Sequence, residues 1–556
     1  MFLLLLKIMD RRKKQNSSLA RNRTGNGRIR IFVFCVLFSF FFRCEYKPRN
    51  DLNLLALVGS GLRVGSTSEG GIDSPTTVIN PPTTPNSGGW LNEAYFKPSF
   101  VIGDSFYGNS VAVSGDTMVV GEYRENSNQI GLTNGPAPAS SNISLFASGA
   151  AFVYRKVAGI WVQEAYLKAS NPNSNDNFGA SVSISGDTIV VGAPSNGGSG
   201  SAFVFVRTGT TWTQEALLKA SNFGSGDRFG SSVDIDGDVI VVGAEWEDSS
   251  QNAITNGTSA SADNSKSDSG AAYVFRRNAG TWTQEAYLKT PNPDNNDYFG
   301  SSVSISGSTI VVGAYKEDSQ AVTSNGASAS ADNSKSESGA AYVFRRTAGQ
   351  WNQEAFLKSS DLTSNDQFGK SVSISADTIV IGAALEDGDR DSVINGSTAS
   401  SSNLLGASGA AYVYERTGTT WAQTAYLKAK NVQTGDQFGT AVAIDGNFIV
   451  VGAINESSGL STISFGSLTT WDERCFQSGA VYMFQKSAGL WGEYAYFKAP
   501  NVGSGDLFGS SVALDGTRVV VGAPQEASNQ TTITNGTTAN ADNSMYRAGA
   551  TYAFQR

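Results

Sequence analysis

The 556-residue chain contains no histidine and only three cysteines. Without histidine it can form neither a Ser-His-Asp triad nor a Cys-His pair, and HExxH zinc sites and imidazole metal ligands are excluded as well. Three cysteines are too few for the disulfide framework that is typical of small secreted domains. We therefore expect a fold that is stabilised by packing.

The N-terminus lacks an apolar run long enough for an ordinary membrane-spanning helix. Residues 1–43 carry ten Lys or Arg and one Asp, and their apolar run, IFVFCVLFSFFF, spans only residues 31–42. A basic segment followed by a short apolar run is typical of a secretory signal. We predict a signal segment over residues 1–43, with export and cleavage, and a retained anchor is the alternative.

Cys44 stands where a bacterial lipoprotein carries its lipid, although Arg43 replaces the small residue that normally precedes that cysteine. Lipidation of Cys44 is therefore one prediction, and cleavage without a lipid is the other. If Cys44 is acylated, cleavage leaves Cys475 without a partner for an intramolecular disulfide. Residues 44–89 are rich in Ser, Thr, Pro, Gly and Asn and form a predicted flexible tether, with a reach of roughly 35 Å.

Basic residues are scarce in the remainder of the chain. The net charge of −8 for the whole sequence becomes −17 once residues 1–43 are removed, with 31 basic and 48 acidic side chains. Such a surface argues against nucleic acid and against anionic membrane patches as partners. Membrane contact is expected only through the N-terminal anchor or lipid, at the cell envelope or outer surface.

The dominant feature of the sequence is a repeat of about 70 residues. Each copy opens on an aromatic residue and a glycine: Tyr107-Gly108, Phe178-Gly179, Phe229-Gly230, Phe299-Gly300, Phe368-Gly369, Phe438-Gly439 and Phe508-Gly509. Four segments follow in each copy, exemplified by FGSSVSIS, TIVVGA, SGAAYVFRR and WTQEAYLK. Their alternation of polar and apolar residues predicts four antiparallel strands.

A four-stranded sheet with two apolar faces cannot bury both of them alone, whereas radial stacking buries face against face. The sequence therefore predicts an all-β, seven-bladed β-propeller over residues 90–556. The last copy stops after its third strand, GATYAFQR (549–556), and the missing fourth strand matches WLNEAYFK (90–97). We expect this N-terminal strand to complete the last blade and close the ring.

The Phe-Gly and Gly-Ala-Pro frame of FGASVSISGDTIVVGAP (178–194) and FGSSVALDGTRVVVGAP (508–524) resembles the FG-GAP repeat family, which includes the N-terminal propellers of integrin α subunits. The resemblance implies a propeller fold and suggests cell adhesion. Integrin-type repeats often carry a calcium loop, DxDxDGxxD, in the first hairpin. The hairpins here are tight turns such as Ser185-Gly186-Asp187, so calcium at that position is not expected.

The second and third strands are joined by long polar loops of about 25 residues in six copies, and by residues 194–199 alone in the second copy. A glutamate opens each long loop, and in four loops an aspartate precedes the closing glycine by seven residues: Glu125, Glu247, Glu317, Glu386, Glu456 and Glu526; Asp263, Asp332, Asp472 and Asp542. These carboxylates either clamp Ca²⁺ across the loop base, most completely as Glu247 with Asp263, Glu317 with Asp332 and Glu526 with Asp542, or accept backbone N–H bonds. Asp387, Asp389 and Asp391 form a further candidate metal site, and no cofactor is required.

Two of the nine tryptophans, Trp246 and Trp471, fall in long loops, where each either anchors a partner or folds back onto its own loop. The fourth-strand glutamates recur once per blade (Glu93, Glu164, Glu215, Glu285, Glu354 and Glu493), which favours a structural role over a catalytic carboxylate pair. We predict no catalytic residues. The leading hypothesis is an exported, non-enzymatic binding or adhesion module with a protein or glycan partner; the alternatives are a carboxylate-based hydrolase or lyase and a surface-assembly protein.

Overall fold

The computed structural model describes residues 89–136, 141–466 and 471–556, and within these ranges the chain is all-β with one short 3-10 turn at Asn196–Gly198. The predicted signal and tether segments lie outside the described residues. None of the described segments forms a helix of the length and apolarity that a bilayer crossing requires.

The strands group into seven blades. The first strand, β1 (Leu91–Phe96), precedes blade 1. Blade 1 comprises β2 (Val111–Ser114), β3 (Thr117–Glu122), β4 (Thr133–Asn134), β5 (Ala150–Val157) and β6 (Ile160–Leu167). Blade 2 comprises β7 (Ser181–Ser185), β8 (Thr188–Ala193), β9 (Ser201–Thr208) and β10 (Thr211–Leu218). Blade 3 comprises β11 (Ser232–Asp236), β12 (Val239–Ala244), β13 (Thr255–Asn256), β14 (Ala271–Asn278) and β15 (Thr281–Leu288).

Blade 4 comprises β16 (Ser302–Ser306), β17 (Thr309–Ala314), β18 (Ser324–Asn325), β19 (Ala340–Thr347) and β20 (Gln350–Leu357). Blade 5 comprises β21 (Phe368–Ser375), β22 (Thr378–Ala383), β23 (Ile394–Asn395), β24 (Ala410–Thr417) and β25 (Thr420–Leu427). Blade 6 comprises β26 (Phe438–Asp445), β27 (Phe448–Ala453), β28 (Ser464–Phe465), β29 (Ala480–Ser487) and β30 (Leu490–Phe497). Blade 7 comprises β31 (Ser511–Asp515), β32 (Arg518–Ala523), β33 (Thr534–Asn535) and β34 (Ala550–Gln555), together with β1.

Each blade is an antiparallel sheet whose four main strands follow one another in chain order, except in blade 7, where β1 is the fourth strand. Six blades carry a fifth strand of two residues, which the sequence does not predict. It lies in the long loop and pairs with the outer edge of the fourth strand; in blade 3, for example, Thr255 lies opposite Tyr287. Blade 2 has the short loop and remains four-stranded.

The glycine of the Phe-Gly pair allows neighbouring blades to approach closely. Gly179 has φ +87°, and a Cβ atom there would lie 2.1 Å from the carbonyl oxygen of Ala150 in the preceding blade. The adjacent Phe178 forms a parallel bridge with Gly149 of the same preceding blade. A residue with a side chain would clash at this contact, which explains why glycine recurs in every copy.

The hydrophobic core consists of seven clusters, one between each pair of neighbouring blades. Between blades 3 and 4, Phe299 packs edge-on against Tyr342 with ring centroids 5.4 Å apart, and Val241 and Trp351 belong to the same cluster. The predicted burial of each blade against its neighbours is confirmed. Because every blade has two apolar faces, the array is stable only when no face is left without a partner.

The ring closes as predicted, with β1 inserted between β34 and β33 of blade 7. Tyr95 of β1 lies opposite Tyr552 on one side and Thr534 on the other. The first strands of all seven blades contact their neighbours in turn, and β2 contacts β31 across the junction. The N-terminal strand therefore occupies an edge of β34 that would otherwise present unpaired backbone groups.

Cys475 lies fully buried in the long loop of blade 6, with Ser504 donating a hydrogen bond to its sulfur at 3.8 Å. It is disulfide-bonded. Within the described ranges the blades are joined to one another by non-covalent packing.

Candidate functional site

The face of the propeller that carries the long loops is the candidate functional site, and we call it the loop face. It consists of the described connections between the second and third strands, residues 123–136, 141–149, 194–200, 245–270, 315–339, 384–409, 454–466, 471–479 and 524–549, together with the turns that lead from one blade into the next. Loops on a rigid scaffold are the usual location of binding residues.

The glutamates that open the long loops are buried and ion-paired. Each one contacts the lysine that ends the fourth strand of its own blade, at 2.5–2.9 Å, with both side chains no more than 2% exposed: Glu125–Lys168, Glu247–Lys289, Glu317–Lys358, Glu386–Lys428, Glu456–Lys498 and Glu526–Lys97. We call these contacts the loop-base ion pairs. The sequence analysis singles out the glutamates but does not predict their lysine partners.

The loop-base ion pairs are saturated with hydrogen bonds. The Lys289 ammonium donates to Glu247 at 2.9 Å, to the Ser269 hydroxyl at 2.9 Å and to the Gly270 carbonyl at 2.6 Å. The Glu247 carboxylate also accepts bonds from the Tyr287 hydroxyl and from the backbone N–H of Ser249. Burial lowers the pKa of Lys289, and the Glu247 carboxylate opposes that shift. The pair therefore fastens both ends of the loop to the fourth strand.

Blade 2 shows what happens when the long loop is absent. Asn196 replaces the glutamate, and its amide donates to Asp176 at 2.8 Å. The Lys219 ammonium then contacts two carbonyl oxygens, those of Asn196 at 3.1 Å and Gly200 at 2.7 Å. The lysine is thus present in every blade, whereas the carboxylate accompanies only the long loops.

The aspartates near the loop ends are bound by residues of their own loops. Asp263 is exposed and accepts bonds from Ser250 and Ser265, while Asp332 accepts bonds from Gln320 and Ser334. Asp472 is paired with Arg474, and Asp542 with the Ser544 hydroxyl. The described residues contain no group of three or more potential metal-ligating side chains. A calcium clamp that joins Glu247 to Asp263, Glu317 to Asp332 or Glu526 to Asp542 remains a prediction.

The aspartate that precedes each Phe-Gly pair caps the turn between blades. In six copies it lies buried and accepts the backbone N–H of the residue three positions earlier; in blade 4, Asp294 N–H donates to Asp297 at 2.9 Å. Burial raises the pKa of five of these carboxyls, to about 6 for Asp227, about 7 for Asp366 and Asp506, and about 8 for Asp297 and Asp436.

Blade 1 departs from this pattern. Ser105 stands where the other copies have the turn aspartate, and Glu122 stands where they have alanine at the end of the second strand. Glu122 is fully buried, and neither of its carboxylate oxygens has a hydrogen-bond partner among the described residues. Burial, reinforced by the nearby Glu125 carboxylate, raises the pKa of Glu122 well above its usual value. Ser105 removes a buried carboxyl and Glu122 supplies one, so the start of blade 1 still contains one buried carboxyl.

Five of the six fourth-strand glutamates contact the next blade: Glu164, Glu215, Glu285 and Glu354 accept the indole N–H of its tryptophan, and Glu93 pairs with Lys156. Glu164 accepts the indole N–H of Trp212 in the next blade at 2.9 Å and pairs with Arg207, whose guanidinium lies 5.1 Å from the Trp212 ring centroid. In blade 5, where Thr424 replaces the glutamate, Glu415 of the third strand accepts the next tryptophan's indole N–H instead. These contacts use the carboxylates for blade packing.

Aromatic and cationic side chains lie close to the first strands on the loop face of blades 3 to 5. The Arg228 guanidinium stacks 4.5 Å from the Trp246 ring centroid, and Trp246 is 40% exposed. Tyr298 and Tyr315 stack with centroids 5.6 Å apart, and the Lys370 ammonium lies 4.0 Å from the Tyr315 centroid. We call these five residues the rim cluster. Arg228 thus covers part of the Trp246 ring.

Trp471 is placed differently. It is 58% exposed and lines a cavity of about 520 Å³ between the loops of blades 5 and 6, together with Asp389 and Asp391. Asp387, by contrast, accepts the backbone N–H of Ala407 at 2.7 Å and holds the loop ends together. The structure therefore separates the three alternating aspartates and brings two of them to the loop tryptophan.

Cys44, the predicted lipidation site, lies outside the described residues. No curated protein matches the chain. A family model described as the FG-GAP repeat matches seven segments, residues 90–137, 161–205, 212–275, 282–344, 351–414, 421–468 and 491–554. These segments cover most of the propeller and more than half of the whole sequence, and the chain therefore belongs to the FG-GAP repeat family.

Proposed function

We propose that the protein is an exported, envelope-tethered binding module without catalytic activity, whose loop face contacts a protein or glycan partner. The FG-GAP propeller fits a binding or adhesion module. Export and tethering are inferred from residues 1–89 of the sequence, which carry the basic segment, the apolar run and the Ser/Thr/Pro-rich stretch.

The observation that carries the proposal is a difference between two sets of side chains on the propeller: one set is paired within the protein, and the other is accessible. The repeated carboxylates are committed to protein partners, as in the pairs of Glu317 with Lys358 and Glu354 with Arg416. Aromatic and cationic side chains of the rim cluster remain partly exposed on the loop face. Tyrosine, tryptophan and arginine are the residues that most often dominate binding energies at protein interfaces.

The test of this proposal is a binding screen of the purified protein against panels of secreted proteins and oligosaccharides, with two variants. The double variant Tyr298→Ser/Tyr315→Ser alters the rim cluster, and Ile160→Ser alters an exposed residue, 55% accessible, on the opposite face. We expect the double variant to weaken partner binding about tenfold or more, since hot-spot truncations cost 2 kcal/mol or more. A partner retained by the double variant and lost by Ile160→Ser would place binding on the other face.

Export and lipidation are tested by the intact mass of the native protein. Cleavage predicts loss of residues 1–43, and lipidation predicts added acyl mass that Cys44→Ser removes, together with release from the membrane fraction. A chain that retains Met1 and fractionates without the envelope would contradict export. After cleavage, Cys44 is the one remaining candidate partner for Cys475 within the chain, so acylation of Cys44 and an intramolecular Cys475 disulfide exclude each other.

A further inference from the structure

A cleft that breaks the repeat symmetry lies between the loops of blades 5 and 6 on the loop face. Two cavities, of about 520 Å³ and about 390 Å³, share Asp389 and Asp391 as a common wall. The larger cavity is bounded by Trp471 and by the turn at Gln433 and Thr434, which leads from blade 5 into blade 6. The smaller is bounded by Arg390 and by residues 400–402 of the blade 5 loop. The two cavities are therefore neighbours with a shared acidic wall, and we call them together the cleft.

The two aspartates are held in place while part of each carboxylate stays accessible. The hydroxyl of Ser402 donates to Asp389 at 3.0 Å. The Lys430 ammonium pairs with Asp391 at 3.2 Å, and the Asp391 side chain remains 49% exposed. Lys430 offsets one of the two negative charges. Asp389 and Asp391 can therefore accept hydrogen bonds from a ligand, but together they carry less negative charge than a typical cation-binding site.

The aromatic surface is available as well. Trp471 is 58% exposed, and among the described residues no cation lies over its ring, in contrast to Trp246 beneath Arg228. An exposed indole face binds the apolar C–H face of a flat ring, while carboxylates, an amide and a hydroxyl bind hydroxyl groups around its edge. Small-ligand sites typically combine an apolar surface with a few convergent polar groups in this way.

We propose that this cleft is a binding site for a neutral oligosaccharide, with one sugar ring stacked on Trp471 and the hydroxyls of adjoining residues bound by Asp389, Asp391 and Gln433. This inference rests on the proposed binding function and names the ligand class for one site on the loop face. A neutral ligand is favoured because the charges of Asp389 and Asp391 are balanced by Lys430, which pairs with Asp391, and by Arg390, which lines the smaller cavity. A cleft that continues on both sides of the acidic wall favours a chain of sugars over a single one.

The repeat supports the assignment because the other copies lack these residues. At the positions of Asp389 and Asp391, the blade 3 loop has Ser250 and Asn252. A residue present once per blade serves the blade, whereas a ligand site requires one local combination of groups. The sequence carries that signal, since the alternating aspartates and Trp471 are each unique, but it does not show that they meet.

The experiment is isothermal titration of the full chain with six linear hexasaccharides, of β-1,4-glucose, α-1,4-glucose, mannose, galactose, xylose and N-acetylglucosamine. Binding of at least one is expected, with a Kd in the micromolar to millimolar range. Trp471→Ala should weaken it about tenfold or more, Asp389→Asn should weaken it less, and Trp471→Phe, which keeps an aromatic face, should retain most of it. Phe223→Ala is the control, because Phe223 is an exposed aromatic residue, 67% accessible, in the turn between blades 2 and 3, and it should leave the Kd unchanged.

The proposal is overturned if none of the six hexasaccharides binds at about 10 mM, a concentration well above the expected Kd. It is equally overturned if Trp471→Ala binds as tightly as the parent while its thermal unfolding is unchanged. In either case a protein partner that depends on Tyr298 and Tyr315 would leave the proposed function standing. If chromatography shows that a bound hexasaccharide is cleaved, the proposed non-enzymatic function is overturned and the proposed ligand class is kept.

Discussion

At the residue scale, a lysine and a glutamate meet at the base of each long loop; they lie about forty positions apart in five blades, and 429 positions apart in blade 7, where Lys97 comes from the N-terminal strand. The glutamate was predictable because it recurs at one position in every long loop. Its lysine partner was not, because the lysine comes at the end of the fourth strand, and the strand pattern is explained without it. The signal was present: Lys97, Lys168, Lys219, Lys289, Lys358, Lys428 and Lys498 occupy the same position in all copies. Burial of both charges is a tertiary property that no local pattern reports.

The loop-base ion pair of blade 4 provides a test of this arrangement. Glu317→Gln removes one charge and leaves the Lys358 ammonium, fully buried in the parent, without its counter-ion, so we expect a loss of about 3–5 kcal/mol in the free energy of unfolding. The double variant Glu317→Gln/Lys358→Met should recover part of that loss. Chemical denaturation measures both, and a Glu317→Gln variant as stable as the parent would refute a structural role for the pair.

The turn aspartates predict how stability depends on pH. Burial raises the pKa of Asp297 from 3.8 to about 8, so the folded protein binds more protons than the unfolded chain between these values. The stabilisation is therefore fully present below about pH 4 and is lost as the pH rises through about 8. Denaturation midpoints from pH 5 to pH 9 should fall with increasing pH.

Asp297→Asn isolates one contribution to that fall. The amide keeps the acceptor for the Asp294 N–H but does not ionise, so the variant should gain stability relative to the parent at pH 9 and little at pH 5. Asp263→Asn is the control, because hydrogen bonds from Ser250 hold the pKa of exposed Asp263 below its usual value and outside this window. Parallel pH profiles for the parent and Asp297→Asn would contradict the assignment.

At the element scale, the two-residue strands in the long loops fasten each blade to the next. In five of them an asparagine forms two hydrogen bonds with the backbone of the next blade's tryptophan: Asn134 with Trp212, Asn256 with Trp351, Asn325 with Trp421, Asn395 with Trp491 and Asn535 with Trp161. The four main strands were predictable from alternation and turns. The fifth strand was not predictable, because two polar residues are too few to show an alternating pattern. Their partner, the fourth strand, also lies at the far end of the loop in the sequence.

The asparagine contact in blade 4 is open to direct measurement. Trp421 N–H donates to Asn325 at 2.7 Å, and the Asn325 amide donates to the Trp421 carbonyl at 3.2 Å. Asn325→Ala removes both bonds, and we expect a loss of about 1–3 kcal/mol in the free energy of unfolding. Phe465→Ala is the matched control, because half-exposed Phe465 stands at this position in blade 6 without such bonds. Equal effects of the two changes would mean that the bonds contribute nothing specific.

At the scale of the whole molecule, the blade number, the ring and its closure were all predictable, because they follow from counting the repeats and from the missing fourth strand at the C-terminus. The cleft at Trp471 was not predictable in the same way. Asp389, Asp391 and Trp471 belong to loops of different blades, and only the ring geometry brings those loops together.

The ring closure is tested most directly by hydrogen exchange of the backbone amides in β34, compared between the full chain and a chain that lacks residues 90–97. The account predicts slow exchange over Ala550–Gln555 in the full chain and rapid exchange, with a lowered melting temperature, in the truncated one, because β34 loses the strand that pairs with its edge. A synthetic peptide of residues 90–97 added to the truncated chain should restore protection. Unchanged exchange and melting after the truncation would contradict the closed ring.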